Sequence, residues 1–241
     1  MATMSRSVVP EELDALRPED PRAQRSRRDL LRIHRAMRSV SILHGALLKL
    51  RRDAPPRRII ELGSGDGRLL LRLARSLSPP WWGVDVSLLD REPAVHHDTE
   101  EGFRRLGWKP QVLRQDALAW ADQRGYERYD LCIVSLFLHH FNETELRRLL
   151  AGIAARCDCV VASEPERGRL ALFFSHFVGA LGTNAVTRGD AVKSVEAGFT
   201  GEELSQAWPA RDADWWLEEY GALPFSHCFV AARRPLRVPD P

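Results

Sequence analysis

The sequence has no long apolar run, and this absence limits where the protein can reside. No stretch of its 241 residues is apolar enough to cross a bilayer, and residues 1–10 lack the apolar core of a secretion signal. We therefore expect a cytoplasmic protein without stable membrane insertion. The sequence also contains no internal repeat and no low-complexity tract.

Cysteine is scarce, and no pair of cysteines has the CxxC spacing of a zinc or redox site. The four cysteines all lie in apolar segments, at Cys132, Cys157, Cys159 and Cys228. Free cysteine is among the most buried residue types, so we expect buried thiols in a reducing compartment and no metal site.

An excess of charge of either sign is also missing. Lys and Arg number 35 against 33 Asp and Glu, which gives a formal net charge of +2. A charge this close to balance produces no overall field that would attract nucleic acid or acidic lipid. We expect no nucleic-acid partner, and the length is sufficient for one domain with a large core.

What the sequence does contain is a regular alternation of strand and helix patterns. Strands are predicted at 58–62, within 81–90, around 111–114, at 130–136 and at 159–163, with helices at 68–77, 93–106 and 142–155. Asn142, with Glu145 three residues later, has the pattern of a capping box at the start of the last of these helices. Such alternation is typical of a parallel α/β sheet with right-handed crossovers.

The two ends of the chain depart from this alternation. Residues 215–220 and 225–232 predict two strands joined by a short turn, so an antiparallel hairpin would complete a sheet of seven strands. Thr187 with Asp190 and Thr200 with Glu203 have the spacing of helix starts, and Gly198 that of a helix end. Residues 1–21 show no sustained period and are expected to be flexible.

A helical segment is predicted from Asp20-Pro21 onwards. Its apolar positions recur at spacings of three and four, at Leu30, Ile33, Met37, Val40, Leu43, Leu47 and Leu50. The other face carries Arg25, Arg28, Arg32 and Arg35. Arginines in this pattern can contact phosphate, but the absence of interleaved aromatic residues favours a solvated helix face.

A glycine-rich turn lies directly between the first strand and the following helix. It comprises Glu61-Leu62-Gly63-Ser64-Gly65-Asp66-Gly67. Glycine lets the backbone pass close to a ligand and direct free N–H groups at it, so this pattern predicts a cofactor loop. Arg68 stands where the dinucleotide fingerprint G-x-G-x-x-G needs its third glycine, and no phosphate-binding lysine loop is present, which disfavours NAD, FAD and nucleoside triphosphates.

The glycine turn resembles the first motif of the class I S-adenosylmethionine-dependent methyltransferases, an acidic residue followed after one position by G-x-G-x-G. This resemblance implies a Rossmann-like α/β fold with a mostly parallel seven-stranded sheet, a C-terminal antiparallel hairpin and a helical N-terminal extension. It implies a cap at residues 1–55 and a methyltransferase domain at 56–241, with a helical lid at about 166–208. S-adenosyl-L-methionine would be the cofactor and S-adenosyl-L-homocysteine its product.

The family also places an acidic residue at the end of the second strand, where it holds both ribose hydroxyls. Asp85 and Asp90 compete for this role. A strand ending at Asp85 would leave Pro93 inside the next helix, at a cost of about 3 kcal/mol, whereas a strand ending at Asp90 puts Pro93 in the first helical turn. This argument favours Asp90.

A second acidic residue, near the adenine, is expected after the third strand. Asp116 is the candidate, although it also has the position of an N-cap for the next helix, and both roles can coexist. The cofactor-binding residues implied by the resemblance are therefore Glu61, Gly63, Ser64, Gly65, Gly67, Asp90 or Asp85, Asp116, Ala117 and Ser135.

The acceptor is expected beyond the carboxyl ends of the strands, where parallel α/β sheets bind their ligands. Residues 135–141 resemble the L-H-H segment of quinone-biosynthesis methylases, and His139 and His140 are candidate bases for a phenol or hydroxyl, followed by His227 and His176. A structural role is the alternative for each histidine. Glu164 can either bind the acceptor or cap a helix.

The segments 182–190 and 198–204 resemble bacterial methyltransferases of aromatic polyketide and quinone-like products. In those relatives this region and the N-terminal helix form a lid. Phe173, Phe174, Phe177 and Val178 would suit a hydrophobic ring or chain, with core packing as the alternative that the pattern favours.

These features favour methyl transfer to a small aromatic molecule, a phenol, quinol or polyketide, with oxygen preferred over carbon. A macromolecule methyltransferase is the second hypothesis, but the [DN]-P-P-[YF] segment common in amine-directed enzymes is replaced by Ser135-Leu136-Phe137-Leu138. A non-catalytic cofactor-binding regulatory domain is the third. The expected assembly is a monomer or homodimer.

Overall fold

A computed structural model describes residues 4–17, 20–50, 54–123, 125, 127–209 and 214–234. Seven strands form one sheet: β1 (Arg58–Leu62), β2 (Asp85–Asp90), β3 (Lys109–Arg114), β4 (Leu131–Ser135), β5 (Cys159–Pro165), β6 (Trp215–Ala222) and β7 (Ser226–Arg233). The helices are α1 (Glu12–Ala15), α2 (Pro21–Ala36), α3 (Ser39–Lys49), α4 (Arg68–Ser76), α5 (His97–Arg105), α6 (Ala117–Asp122), α7 (Glu143–Arg156), α8 (Arg169–Ser175), α9 (Ala185–Ala197) and α10 (Glu203–Ala207).

The strand order is β3-β2-β1-β4-β5-β7-β6, and β7 alone runs against the others. Helices cover both faces of the sheet, and adjacent strand residues point to opposite faces. Ile60 belongs to a core with residues of α6, α7 and α10, whereas Ile59 belongs to a core with residues of α3, α4 and α5. The predicted Rossmann-like fold with a mostly parallel seven-stranded sheet and a C-terminal antiparallel hairpin is confirmed.

The helices α1, α2, α8 and α9 pack together above the carboxyl end of β5, and we call them the helical cap. Two sequence segments that are far apart along the chain, one N-terminal and one between β5 and β6, thus build one layer. Helix α3 contacts α2 but packs mainly against α4 and β5, and α10 packs against α7 and β6.

The N-terminal segment is ordered where the sequence predicts flexibility. The Arg6 guanidinium donates to the carbonyl oxygens of Ala197 at 2.8 Å and Phe141 at 2.9 Å. The Asp190 carboxylate accepts from the backbone N–H groups of Glu12 and Leu13 and so caps α1. The prediction is wrong because these partners lie more than 130 residues away and leave no local pattern.

Three helix boundaries also differ from the prediction. The helical segment after Asp20 breaks at Arg38, whose φ of +55° separates α2 from α3. Helix α5 begins at His97, so Pro93 lies in the preceding loop and not in the first helical turn. Helix α9 is capped by Asn184, whose side chain accepts from the Thr187 N–H, so Thr187 and Asp190 do not start it. The capping box of Asn142 and Glu145 is present as predicted.

Candidate active site

The glycine turn joins β1 to α4 with three left-handed residues. Gly63, Gly65 and Gly67 have φ values of +68°, +54° and +69°, a region that side chains disfavour. A Cβ atom at Gly63 would overlap the ring of Phe137, so the ring or the turn would have to shift. Glycine at this position is therefore required both by the backbone and by the neighbouring ring.

Asp90 lies at the carboxyl end of β2 and is bonded to the glycine turn. Its Oδ2 accepts from the Gly65 N–H at 2.8 Å, and its Oδ1 accepts from the Glu92 N–H at 2.8 Å. Asp85 is the first residue of β2, at the opposite edge of the sheet, where it is exposed and pairs with Lys109 at 3.7 Å. The structure therefore brings Asp90 to the glycine turn and leaves Asp85 away from it.

A cavity of about 720 Å³ runs from the glycine turn to the helical cap. One end is bordered by strand ends and loops, among them Glu61, Gly63, Ser64, Asp90, Asp116 and Ser135. The other end is bordered by residues of the helical cap and by residues next to it. They include Leu13, Leu30, Ile33, Met37, Ala171 and Val178. Both ends belong to one continuous space at the carboxyl edge of the sheet, where α/β folds bind ligands.

Three buried polar atoms near the glycine turn have no hydrogen-bond partner among the described residues: Glu61 Oε2, Ser64 Oγ and Ser135 Oγ. Leaving such atoms unpaired is costly, so they mark the place of a polar ligand. Burial and then the negative charges of Asp66 and Asp90 raise the pKa of Glu61 well above its ordinary value. The ammonium and sulfonium charges of S-adenosylmethionine would offset this repulsion, and the site therefore fits that cofactor.

Asp116 caps α6 and borders the cavity as well. Its Oδ1 accepts from the Ala119 N–H at 2.9 Å, and the adjacent Ala117 also lines the cavity. A carboxylate has more acceptor positions than this one bond uses. The capping role that the sequence predicts is confirmed, and it leaves the second oxygen for a ligand.

Glu164 is fully buried and caps a 3-10 turn at Leu138–His140. Its carboxylate accepts from the backbone N–H groups of Phe137 and Leu138 at 3.0 Å and of His139 at 3.3 Å. It also accepts from Nδ1 of His139 at 2.7 Å. Of the two roles that the sequence leaves open for Glu164, capping is the one that the structure supports.

The His139 ring lies between two carboxylates, with Nδ1 on Glu164 and Nε2 3.4 Å from Oε1 of Glu11. Burial by itself lowers the pKa of His139, but its hydrogen bonds to Glu11 and Glu164 outweigh burial and raise the pKa to about 9. The ring is an imidazolium at neutral pH, and both of its nitrogens have carboxylate partners. This arrangement disfavours His139 as a general base.

The remaining predicted histidines divide between the cavity and the rest of the fold. His140 borders the cavity, with its ring centroid 4.3 Å from that of His139. His227 is buried in the sheet, where Nε2 lies 2.7 Å from Oε1 of Glu219, and it does not border the cavity. His176 is exposed and does not border it either. Of these three histidines, His140 is the one that borders the cavity.

The polar residues of the cavity wall that sequence reasoning did not assign to the site include Glu11, His34 and Asp190. Burial and then the positive charge of Arg72 lower the pKa of His34 to about 4, so this ring is neutral at pH 7. Nδ1 of His34 lies 3.1 Å from Oγ of Ser39. The pattern of α2 identifies its apolar positions but does not show which histidine faces a cavity.

Glu11, His139 and His140 also bring three possible metal-ligating atoms within 4.8 Å of one another. The two carboxylates beside His139 already bind its imidazolium, so the cluster has an explanation without a cation. The structure therefore gives no reason to assign a metal to these three residues.

The phenylalanines that follow β5 are not core residues. Phe173, Phe174 and Phe177 are each about half exposed, and Phe174 and Phe177 also border the cavity. Core packing, which the helical spacing favours, is therefore wrong, because the helical cap leaves this side of α8 uncovered.

Comparisons with known proteins are consistent with this geometry. Residues 59–158 match the family model described as methyltransferase domain, a segment that contains the glycine turn, Asp90, Asp116 and both adjacent histidines. No match was found among curated proteins. No described helix is both long and apolar enough to traverse a bilayer.

Several solved structures have a similar fold. The plantazolicin methyltransferase BpumL in complex with SAH aligns with a TM-score of 0.66 at 13% identity, over 90% of this chain and 92% of that chain. An O-methyltransferase family protein from Burkholderia thailandensis aligns at 0.57 with 15% identity, over 89% of this chain and 60% of that one. The mitomycin 7-O-methyltransferase MmcR aligns at 0.55 with 16% identity, over 92% and 60%.

At these identities the structural likeness establishes the fold, and the domain match adds the chemistry of the segment that carries the glycine turn. Residues 59–158 therefore form a methyltransferase domain, and together with the shared class I, Rossmann-like fold they support an S-adenosylmethionine-dependent methyltransferase.

Proposed function

We propose that this enzyme methylates an oxygen of a small, largely apolar aromatic acceptor such as a phenol, quinol or polyketide. The observation that carries the proposal is the continuous cavity of about 720 Å³, which joins the glycine turn to an apolar space under the helical cap. A volume of this size is in the range of small-molecule sites. An acceptor in the apolar part would thus meet the methyl group without leaving the protein.

We infer that the cofactor part is held by the residues around the glycine turn. Asp90 would bind the ribose hydroxyls, Asp116 the adenine amino group, and Glu61, Ser64 and Ser135 the polar groups near the sulfonium. The cofactor supplies an electrophilic methyl group. Everything else that the reaction needs, which is alignment, exclusion of water and acceptance of a proton, falls to the protein.

The proton of a phenol or hydroxyl would pass to His140. Its ring borders the cavity beside the 3-10 turn that Glu164 caps, whereas the neighbouring His139 is already protonated. The ion pairs of His139 fix this turn, because the same carboxylate bonds three backbone N–H groups and the ring. We therefore assign His139 and Glu164 a positioning role and His140 the role of base.

A second candidate is methylation of a peptide natural product. It is favoured by one observation, which is that the alignment with the plantazolicin methyltransferase covers nearly all of both chains, whereas the O-methyltransferases are only 60% covered. Oxygen remains the preferred acceptor because the apolar walls and the single candidate base suit a neutral phenol.

The test is turnover with radiolabelled S-adenosylmethionine against two acceptor panels, one of phenols and quinols and one of azole peptides with a free amine. We expect label in an organic-extractable phenol ether, and a loss of about 100-fold in kcat for His140→Ala without a change in cofactor affinity. His176→Ala is the matched control, because His176 does not border the cavity. Label only in the amine panel, or an unaffected His140→Ala enzyme, would refute the oxygen assignment or the base assignment respectively.

A further inference from the structure

Six large apolar side chains share one exposed surface at the mouth of the cavity, which we call the aromatic face. They belong to α8, to the 3-10 turn Val178–Leu181 and to the turn between β6 and β7: Leu170, Phe173, Phe174, Phe177, Leu181 and Leu223, each 40% to 82% exposed. The Phe173 ring centroid lies 5.5 Å from that of Phe174 and 5.1 Å from that of Phe177. Phe174 stacks on Phe225 at 5.1 Å, which brings α8 beside Leu223. The three phenylalanine rings are therefore contiguous, and the three leucines lie in the same segments or in the adjoining turn.

A contiguous apolar surface of this kind is unusual on a water-soluble monomer and marks an interaction site. Phenylalanine and leucine dominate this surface, which lies on a short helix and two turns. This composition matches the apolar side of a surface that inserts shallowly among lipid headgroups.

Positive charge surrounds the aromatic face, and negative charge is absent from its segment. Residues 167–189 contain three arginines and no Asp or Glu. Arg169 and Arg188 are exposed there, and the Arg188 side chain lies against Gly179 in the 3-10 turn. Although the chain as a whole is nearly neutral, this surface is locally cationic.

The exposed arginine stripe of α2 continues this cationic rim. Arg25, Arg28 and Arg35 are exposed, and Arg32 on the same stripe reaches the Gly182 carbonyl oxygen at 3.4 Å, next to Leu181. Arg32, which also pairs with Asp29, therefore brings this stripe of α2 next to the aromatic face. Clustered arginine beside exposed aromatic and aliphatic side chains provides the two signals that stable binding to an anionic membrane surface requires.

The aromatic face also adjoins the opening of the cavity. Phe174, Phe177 and Leu181 are exposed and border the cavity at the same time, whereas Leu170, Phe173 and Leu223 point away from it. A surface that covers the aromatic face would consequently lie across the opening.

We propose that the aromatic face docks on an anionic lipid surface, with the cavity mouth turned toward the bilayer. The side chains of Leu170, Phe173 and Leu223 enter the headgroup region, and the surrounding arginines contact lipid phosphates. A lipophilic acceptor then reaches the cavity from the bilayer without crossing water. This is peripheral docking, and it requires no membrane-spanning segment.

A second copy of the chain is the main rival for this surface, and charge argues against it. A two-fold interface brings each patch against itself, so the arginines around one aromatic face would meet those around the other. Like charges at close range oppose such pairing. An anionic lipid surface complements the arginines.

The test is cosedimentation of the full-length protein with vesicles of phosphatidylcholine alone and with vesicles that also contain phosphatidylglycerol. We expect binding to the anionic vesicles, weakened by salt, and little binding to phosphatidylcholine. Leu170→Ser combined with Phe173→Ser should lower the partition coefficient about tenfold or more, because binding scales with the apolar area inserted. Arg169→Gln should weaken binding to anionic vesicles only.

Two matched controls lie at the opposite edge of the sheet. Trp82→Ser removes an aromatic side chain that is 69% exposed, and Lys109→Gln removes a cation that is 80% exposed. Neither should change vesicle binding.

Absence of wild-type binding, or equal binding by the Leu170/Phe173 variant, would overturn the proposal. A dimer in sedimentation velocity that the same variant dissociates would assign the surface to a second copy. Vesicle binding is measured without methyl transfer, so its failure leaves the proposed acceptor untouched.

Discussion

Nδ1 of His139 lies 2.7 Å from Oε2 of Glu164, and both side chains are buried. The same carboxylate accepts from three successive backbone N–H groups of the turn that carries His139. One buried acid on β5 therefore fixes both the turn that follows β4 and the charge state of a histidine in that turn. Glu11 from the N-terminal segment completes the ion pair on the other ring nitrogen.

Replacement of Glu164 by alanine should destabilise the fold strongly. It leaves a buried imidazolium with one carboxylate and three N–H groups without their acceptor, and breaking a buried pair costs about 3–5 kcal/mol. Glu164→Gln retains an acceptor oxygen and should lose less. Urea unfolding measures both variants, with Glu143→Gln, whose side chain is 79% exposed, as a control that should change stability by less than about 0.5 kcal/mol. Equal losses for Glu164→Ala and Glu143→Gln would contradict the capping role.

The ion pairs of His139 should make the enzyme less stable at alkaline pH. Its pKa is raised from 6.5 to about 9, so the folded state binds the proton more tightly than the unfolded state. The stabilisation is fully present below pH 6.5 and is lost as the pH rises through about 9, by on the order of 3 kcal/mol. Unfolding free energies of wild type and His139→Gln, measured across this range, should converge at high pH. Parallel profiles would show that His139 is not charged in the folded protein.

Asp90 and Asp85 provide a paired test of the cofactor site. Asp90→Ala removes a charged acceptor for hydroxyl groups and the bond to the Gly65 N–H, so binding of S-adenosylhomocysteine should weaken roughly 10- to 100-fold. Asp85→Ala changes an exposed residue at the opposite end of the same strand and should have no effect. Isothermal titration calorimetry measures both affinities. The opposite order of effects would place the ribose at the other strand end.

Gly63→Ala should abolish cofactor binding and destabilise the chain. The new methyl group would overlap the Phe137 ring at a backbone φ of +68°, so both the ring and the turn would have to move. Gly189→Ala is the control, because a Cβ atom there meets nothing within 4 Å and alanine is favoured inside α9 by roughly 0.5–1 kcal/mol. Thermal unfolding and calorimetry should show opposite signs for the two substitutions. If Gly63→Ala behaved like Gly189→Ala, the turn would not be constrained as described.

The cofactor part of the site was largely predictable from local sequence. The glycine turn lies between a strand and a helix in the chain itself, and Pro93 argued for a strand that ends at Asp90. The strand does end at Asp90. Pro93, however, lies in the loop before α5 and not in the first turn of that helix. The order of strand, turn and helix and the residue types of the turn are local properties of the sequence, so they can be predicted without the fold.

The acceptor part was not predictable in this way. Glu11, His139 and Glu164 come from three distant segments, and only their packing converts a presumed base into a fixed cation. The spacing of Phe173 and Phe177 is that of a buried helical stripe, yet both side chains are exposed.

By itself, the sequence determined the alternation of strands and helices and the glycine turn, because helical and strand periods and positive-φ glycines depend on neighbouring residues. The resemblance of the turn to a known motif indicated the cofactor. The tertiary structure alone decided which histidine carries a charge, which acids serve as caps and which apolar side chains meet solvent. These properties depend on the desolvation and charge that distant segments impose on one another, and no local pattern encodes them.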